Sequence, residues 1–218
     1  MSKLNVLYED NHIIVVEKEP NVLCQSDYTK DLDLLTLVKA YIKEKYNKPG
    51  NVYVGLVHRL DRPVGGLMVF ARTSKAAARL SQTIKNHEMT KEYLLVCGGN
   101  LEGSGVFEDY IEKKDKLSFI TDKKHGKYSK LEYVLLEKKN NLNLVKVNLI
   151  TGRHHQIRLQ FAHRNFPLFG DQLYGKRDKK QIALFAYHLK FKHPVKDEMM
   201  DFKLMPKGSV WSEFHYDA

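Results

Sequence analysis

Only two cysteines, Cys24 and Cys97, occur in 218 residues. That is too few for a disulfide framework, and their separation excludes a CxxC redox or zinc pair. Both are expected to be reduced, buried small hydrophobes. No apolar run approaches the ~20 residues that a membrane-spanning helix needs, so no membrane partner is expected. The opening Met1-Ser2-Lys3-Leu4-Asn5 leads at once into a strand-like pattern and lacks the apolar segment of a signal peptide, which points to a cytoplasmic location. Internal repeats, low-complexity tracts and linkers are absent. Acidic residues are missing from two long windows. Asp61 stands alone between Glu44 and Glu88, and no acid occurs between Glu137 and Asp171.

What is present is basic. Lysine and arginine outnumber aspartate and glutamate by 36 to 26, a formal charge of +10. Such a balance suits a polyanionic partner, nucleic acid first, although a solvated lysine surface would give the same sum. With 43% hydrophobic and 28% charged residues, the chain is globular rather than disordered and long enough for a well-buried core.

The first acid-poor window holds His58-Arg59-Leu60-Asp61-Arg62-Pro63-Val64-Gly65-Gly66-Leu67, with Lys45, Lys48, Arg72, Lys75, Arg79 and Lys85 around it. Nearby positive charge keeps a lone carboxylate ionised, so Asp61 can serve as nucleophile or base beside a polyanion. The second window holds Thr151-Gly152-Arg153-His154-His155-Gln156-Ile157-Arg158. Read as a helix following Gly152 and reaching Ala162, it places Arg153 and His154 at an N-terminus, where free N–H groups favour phosphate. Arg158 lies about one turn further on, and its planar fork suits carboxylate or phosphate. His154 and His155 lack the spacing and the acidic or thiolate neighbours of a metal site, so no metal is expected. His-Arg-Leu-Asp departs from a kinase catalytic loop, and Gly98-Gly99…Gly103-Ser104-Gly105 does not have dinucleotide-binding spacing.

Strands are expected at Asn5–Tyr8, His12–Glu17, Val52–Val57, Leu67–Ala71, Lys91–Val96 and Ala183–Phe191. Leu131–Leu136 and Leu142–Ile150 form a hairpin across a Lys-Asn-Asn turn. Helices are expected from an Asp33 cap to about Tyr46 and from Thr73 or Ser74 to about Asn86. The class is therefore α+β, a mixed, largely antiparallel sheet flanked by helices and loops. Residues 1–218 read as one domain, with a long excursion from about Gly98 to Lys130.

His58-Arg59-Leu60-Asp61 with Gly65-Gly66-Leu67, then Lys91-Glu92-Tyr93, then Thr151 to Arg158, then Gly170-Asp171-Gln172-Leu173-Tyr174-Gly175 resembles, in order and spacing, the RluA family of pseudouridine synthases. The opening Tyr8-Glu9-Asp10-Asn11…Val15-Val16-Glu17-Lys18 resembles the family's first strand pair. Two departures stand out. Val64-Gly65-Gly66 occupies the place of a usual Thr-Ser-Gly, and Lys18-Glu19-Pro20-Asn21 that of Lys-Pro-Ala-Gly. Because the resemblance begins within the first ten residues, a compact member without an S4 RNA-binding domain is expected.

The resemblance implies conversion of uridine in ribosomal or transfer RNA to pseudouridine. The N1–C1′ bond breaks, the uracil turns, and C5 bonds to C1′. No atoms are gained or lost, so no cofactor is required. It implies Asp61 as catalytic carboxylate, either attacking C1′ or removing the 2′-proton. Tyr93 would stack on the uracil and help remove the C5 proton, and Arg158 would pair with the catalytic Asp. Arg59 would fill the space of a flipped base or touch phosphate. His58, Arg62, Arg153, His155 and Gln156 complete the substrate-binding set. Lys75, Arg79, Lys123, Lys124, Lys127 and Arg164 are further phosphate contacts. A monomer is expected.

Two other readings compete. A glycoside or nucleoside hydrolase would need a second carboxylate, for which Asp171 is available if folding brings it close. A non-catalytic RNA-binding protein retaining the fold would need none of Asp61, Tyr93 and Arg158 together.

Overall fold

The structure, a computed structural model, describes residues 4–29 and 31–215. Met1-Ser2-Lys3, from which the location was read, lie outside the described residues. Elements follow in the order β1 (Val6–Glu9), β2 (Ile13–Lys18), α1 (Leu34–Lys45), β3 (Gly55–Leu56), β4 (Gly65–Ala71), α2 (Ser74–Lys85), β5 (Thr90–Gly98), β6 (Ser104–Lys114), β7 (Leu117–Thr121), β8 (Lys127–Lys139), β9 (Leu142–Leu149), α3 (Gln156–His163), β10 (Leu184–Lys192) and β11 (Met199–Lys203). The ladders that join β1 to β2, β2 to β4, β3 to β4 and β10 to β11 are antiparallel, as are those that link β5, β9, β8, β6 and β7. Among the described residues no helix is long and apolar enough to cross a membrane. Cys24 and Cys97 are both buried and unbridged. The chain forms two compact units.

The first unit comprises residues 1–89 and 188–204. The β-branched run Ile13-Ile14-Val15-Val16 is fully buried in β2, which pairs with β1 on one side and β4 on the other. Every residue of β4 is buried, the mark of a strand covered on both faces. Asp10 Oδ1 accepts from the amides of His12 and Ile13 and shapes the β1–β2 turn. Asp33 caps α1 by accepting the Thr36 amide at 3.0 Å, and Thr73 caps α2 through Ala76 at 3.1 Å. Ala76 and Leu80 of α2 join Ile13, Val15, Leu67, Val69, Leu189 and Phe191 in one buried cluster. Val52–Val57 is strand only at Gly55–Leu56, because just Ala71 and Phe70 lie opposite to pair with it.

The second unit comprises residues 90–187 and 205–218. Its sheet runs in the order β5-β9-β8-β6-β7. The β8–β9 hairpin closes on Asn140-Asn141, both at positive φ (50° and 60°), the two-residue turn that asparagine tolerates. The supposed excursion from Gly98 to Lys130 is strand: β6 and β7 form a hairpin, and β8 returns past β7 to pair with the other edge of β6. Its alternation is obscured because Val106, Tyr110, Leu117, Phe119 and Tyr128 share the outward positions with charged residues, while Asp109 stands between the inward Phe107 and Ile111. α3 starts at Gln156 rather than directly after Gly152. His155, at φ 54° and ψ 24°, is left-handed and cannot continue a helix backwards. Arg153 and His154 therefore precede the helix instead of forming its first turn.

Candidate active site

The backbone of the Asp61 segment is held at several points. Lys18 has no solvent exposure, and its Nζ donates to the carbonyls of Glu19, Arg62 and Val64 at 3.1, 3.0 and 2.7 Å. The Asn21 amide also donates to Arg62 O at 2.8 Å, and Val64 N closes a turn onto Asp61 O at 3.0 Å. On the other flank, the Cys24 thiol accepts from Leu60 N and donates to Leu60 O. The Val69 amide donates to His58 Nε2 at 3.0 Å, which fixes the neutral ring as the Nδ1–H tautomer. Asp61 itself is half-buried.

Burial lowers the Lys18 pKa to about 8, against the opposing pull of Cys24 and Asp61; burial likewise pushes the Cys24 thiol up. The lost hydroxyl of the Thr-Ser-Gly pattern has little to support here. Val64 is buried as an apolar side chain while its carbonyl takes the Lys18 ammonium. Gly66 sits at φ 129°, a conformation that other residues rarely adopt, opposite Lys18 in the β2–β4 ladder.

Arg59 is exposed, and among the described residues its guanidinium makes no hydrogen bond or ion pair. Arg62 is tied down instead, with Nε on Asn21 O and Nη2 at 2.7 Å from Asp31. Thus His58 and Arg62 brace the loop, whereas Arg59 projects from it.

Within the second unit, Tyr93 is a buried residue in the middle of β5, opposite Val147 of β9. Its neighbour Glu92 accepts the Tyr187 hydroxyl at 2.9 Å; burial first, then that carboxylate, raises the Tyr187 pKa. Arg158 is 3% exposed on α3, and its Nε and Nη2 bind Asp171 Oδ2 and Oδ1 at 2.8 and 2.7 Å. This is a bidentate pair of the fork-on-fork kind. Asp171 Oδ1 also accepts from the amides of Leu173 and Tyr174. Burial would raise the Asp171 pKa, but Arg158 and these amides hold it below the usual carboxylate range.

Around this pair the motif residues interlock. Tyr174 lies under the Arg158 guanidinium at 5.4 Å and accepts the Ser118 amide at 2.9 Å. Its hydroxyl is also 2.9 Å from His155 Nδ1, and burial raises its pKa. His154 stacks on His155 at 3.7 Å, with Ser118 Oγ on both its ring and its carbonyl. Gln156 is buried; its Oε1 takes the Thr151 hydroxyl and the Arg153 amide, and its Nε2 donates to Lys130 O. Arg153 is exposed, with Nε on Tyr128 O.

Gln156 and His155 thus stand as loop-setting residues, and Arg153 remains at the surface. Of the residues that carry structure here, Lys18 and Tyr174 were assigned no role from sequence, and Asp171 only that of a second carboxylate in the hydrolase reading. Each lies in a motif block, but nothing in sequence shows a lysine to be buried.

The chain is 32% identical over 218 residues to the ribosomal large subunit pseudouridine synthase D of Haemophilus influenzae, covering 91% of this chain and 66% of that protein. It is 34% identical over 222 residues to an uncharacterized RNA pseudouridine synthase of Aquifex aeolicus, covering 92% and 69%. The chain therefore spans about two thirds of these relatives' length. Human RNA pseudouridylate synthase domain containing 4 superposes with a TM-score of 0.80 at 18% identity, over 95% of this chain and 91% of that one. Human RNA pseudouridylate synthase domain containing 1 gives 0.73 at 21%, over 94% and 84%. These two share its α+β fold. Residues 12–163, most of the chain, match the RNA pseudouridylate synthase family model, and the chain belongs to that family.

Proposed function

We propose that this chain is an RNA pseudouridine synthase, isomerising specific uridines without a cofactor, and that residues 1–218 act as one catalytic domain in the cytoplasm. One observation carries the reading furthest. In a stretch otherwise free of acids, Asp61 stands on a loop whose flanking backbone is fixed by a fully buried lysine, a buried thiol and a histidine. Immobilising a carboxylate in this way costs burial of an ammonium, and it suits a group that must meet one atom of a substrate.

Asp61 is proposed as the catalytic carboxylate, acting at C1′ or on the 2′-proton. Tyr93 is proposed against the uracil ring. Arg158, whose guanidinium Asp171 binds in bidentate fashion, is proposed as the arginine that pairs with the catalytic carboxylate. Arg59, projecting from the loop, is proposed to take the place of the extruded base, and Arg153 to contact phosphate. Extruding a uridine costs a few kcal/mol, which phosphate contacts by a chain of charge +10 would offset.

The Haemophilus relative's name places that protein on large-subunit ribosomal RNA, so this is the first substrate to test, with transfer RNA beside it. A hydrolase reading has little support. Asp171, the second carboxylate it would use, has both oxygens bound by the Arg158 guanidinium, and Oδ1 also accepts two amides.

The test is tritium release from [5-³H]uridine-labelled transcripts, with Asp61→Asn run alongside. Release that the substitution abolishes, with RNA affinity retained, is expected. Release at the wild-type rate by Asp61→Asn would refute the assignment, and free uracil among the products would favour hydrolysis.

A further inference from the structure

The adjacent strands β7, β6 and β8 have an outward face that the chemistry above does not use. Register places Tyr110 directly opposite Tyr128 of β8 and Thr121 of β7, and Glu112 opposite Phe119. Side chains directly opposite, or two apart along a strand, share a face. Tyr110, Phe119 and Tyr128 therefore lie on one side of three adjacent strands. Phe119 is 45% and Tyr128 42% exposed, and Tyr110 meets Tyr128 edge-on at 6.0 Å. Removing such rings from water is favourable, so their exposure together on neighbouring strands needs a reason.

The charge around them indicates the partner. From Lys113 to Lys130 there are seven lysines against Asp115 and Asp122. The glutamates beside the rings are met by lysines, Glu108 by Lys130 at 3.2 Å and Glu112 by Lys114 at 3.3 Å. Three aromatic rings rimmed by cations match a nucleic-acid strand with its bases unstacked, since every base offers a π-face and every linkage a charge. Duplex RNA would present phosphates to the lysines but no base face to the rings.

This face is also coupled to the motif loop. The Tyr128 carbonyl holds Arg153 Nε at 2.9 Å. On the inward side of β7, next to Phe119, Ser118 binds the carbonyl and ring of His154. A nucleotide on the rings would thus rest on the strands that fix the Thr151–Arg158 loop.

We infer that the outward face of β6–β8 is a stacking platform for unpaired nucleotides flanking the target uridine. The substrate region is then a loop or bulge rather than continuous helix. This rests on the RNA reading above for its partner, but not on Asp61 or on turnover.

Binding of a short oligouridylate and of a blunt RNA duplex of equal length tests it, with Phe119→Ala, Tyr128→Ala and Phe119→Trp. Each alanine variant is expected to weaken oligouridylate binding about tenfold and to leave duplex binding within about twofold. Phe119 is exposed, so Phe119→Trp should fold normally; its indole fluorescence should be quenched by oligouridylate and not by duplex. Unchanged oligouridylate affinity together with an unquenched indole overturns the platform, as does equal weakening on both RNAs. If the variants lose oligouridylate while no transcript releases tritium, the platform stands and the synthase reading fails. Tritium release with oligouridylate binding unaltered by the variants removes the platform and leaves the synthase reading in place.

Discussion

The ammonium of Lys18 lies 2.7 Å from the carbonyl oxygen of Val64, three residues beyond Asp61, in a side chain wholly withdrawn from solvent. A lysine is rarely buried without a carboxylate partner. Here three backbone carbonyls provide the compensation, that of Glu19 just after β2 and those of Arg62 and Val64 on the C-terminal side of Asp61. The side chain thus couples the end of β2 to the position of Asp61.

Replacing that ammonium by an apolar side chain of similar length takes the side-chain donor from Val64 O and one of two donors each from Arg62 O and Glu19 O. Lys18→Met is expected to lower stability by about 1–3 kcal/mol. Turnover should fall at least tenfold further than the unfolded fraction explains, while RNA affinity stays near wild type. Urea titration, tritium release and filter binding on the same preparation separate the effects. A variant that is destabilised yet fully active per folded molecule would show that the loop keeps its place without Lys18.

The same group predicts a pH dependence. Its pKa in the folded state is about 8, below the ordinary 10.5. Above about pH 8 the amine loses a proton, and two N–H bonds must serve three carbonyls, so turnover should decline through that pH. Global stability should not decline on this account. Between 8 and 10.5 the unfolded chain binds more protons at this residue than the folded one, so the group's contribution rises with pH. A kcat–pH profile beside thermal melts at matched pH checks both signs, and parallel losses of activity and melting temperature would contradict the assignment.

Arg158 and Asp171 should prove more sensitive than a surface pair. Asp171→Asn removes the bidentate carboxylate from a guanidinium that is 3% exposed, at an expected cost of about 3–5 kcal/mol. Arg158→Lys cannot reproduce the two-pronged bond and should impair turnover. Because the Asp171 pKa is depressed, its stabilisation is complete above the ordinary value of 3.8 and is lost only as pH falls below it. Acid melts of the wild type and of Asp171→Asn should converge below that pH. Identical melting at neutral pH would reduce the pair to a minor contact.

Gly170 precedes this aspartate at φ 72°, and a Cβ there would lie 2.2 Å from the carbonyl oxygen of Gln181. Gly170→Ala should therefore cost more than about 2 kcal/mol, through backbone strain and a clash with main chain that cannot swing away. Denaturant unfolding reads this directly. A loss below about 1 kcal/mol would mean that the Gly170 turn relaxes easily.

RNA binding should weaken steeply with salt, because each neutralised phosphate contributes close to one unit to the log–log slope. Reversing Lys123, Lys124 and Lys127 to glutamate should flatten that slope by about three units if all three contact phosphate. Affinity measured across a salt series gives the number, and an unchanged slope would remove that turn from the RNA-binding surface.

Much of this protein was legible along the chain. The β-branched run at Ile13–Val16, the Asp33 and Thr73 caps and the Asn140-Asn141 turn are local features, and local sterics and hydrogen bonding are sufficient to specify them. The motif order pointed to the family, because residues near reacting atoms are constrained in type as well as spacing. Other features depended on contacts between distant segments. The ammonium of Lys18 becomes a loop brace only when residues 44 and 46 positions away supply carbonyls. Arg158 finds Asp171 across a turn, and left-handed His155 delays α3 so that Arg153 falls outside it. The β6–β7 hairpin was hidden because its register, rather than its composition, sorts Phe107 and Ile111 inward and Tyr110 and Phe119 outward. Sequence determined which groups were available; tertiary structure decided which of them lost water, since the cost of burying a charge or ring depends on neighbours brought in from elsewhere in the chain.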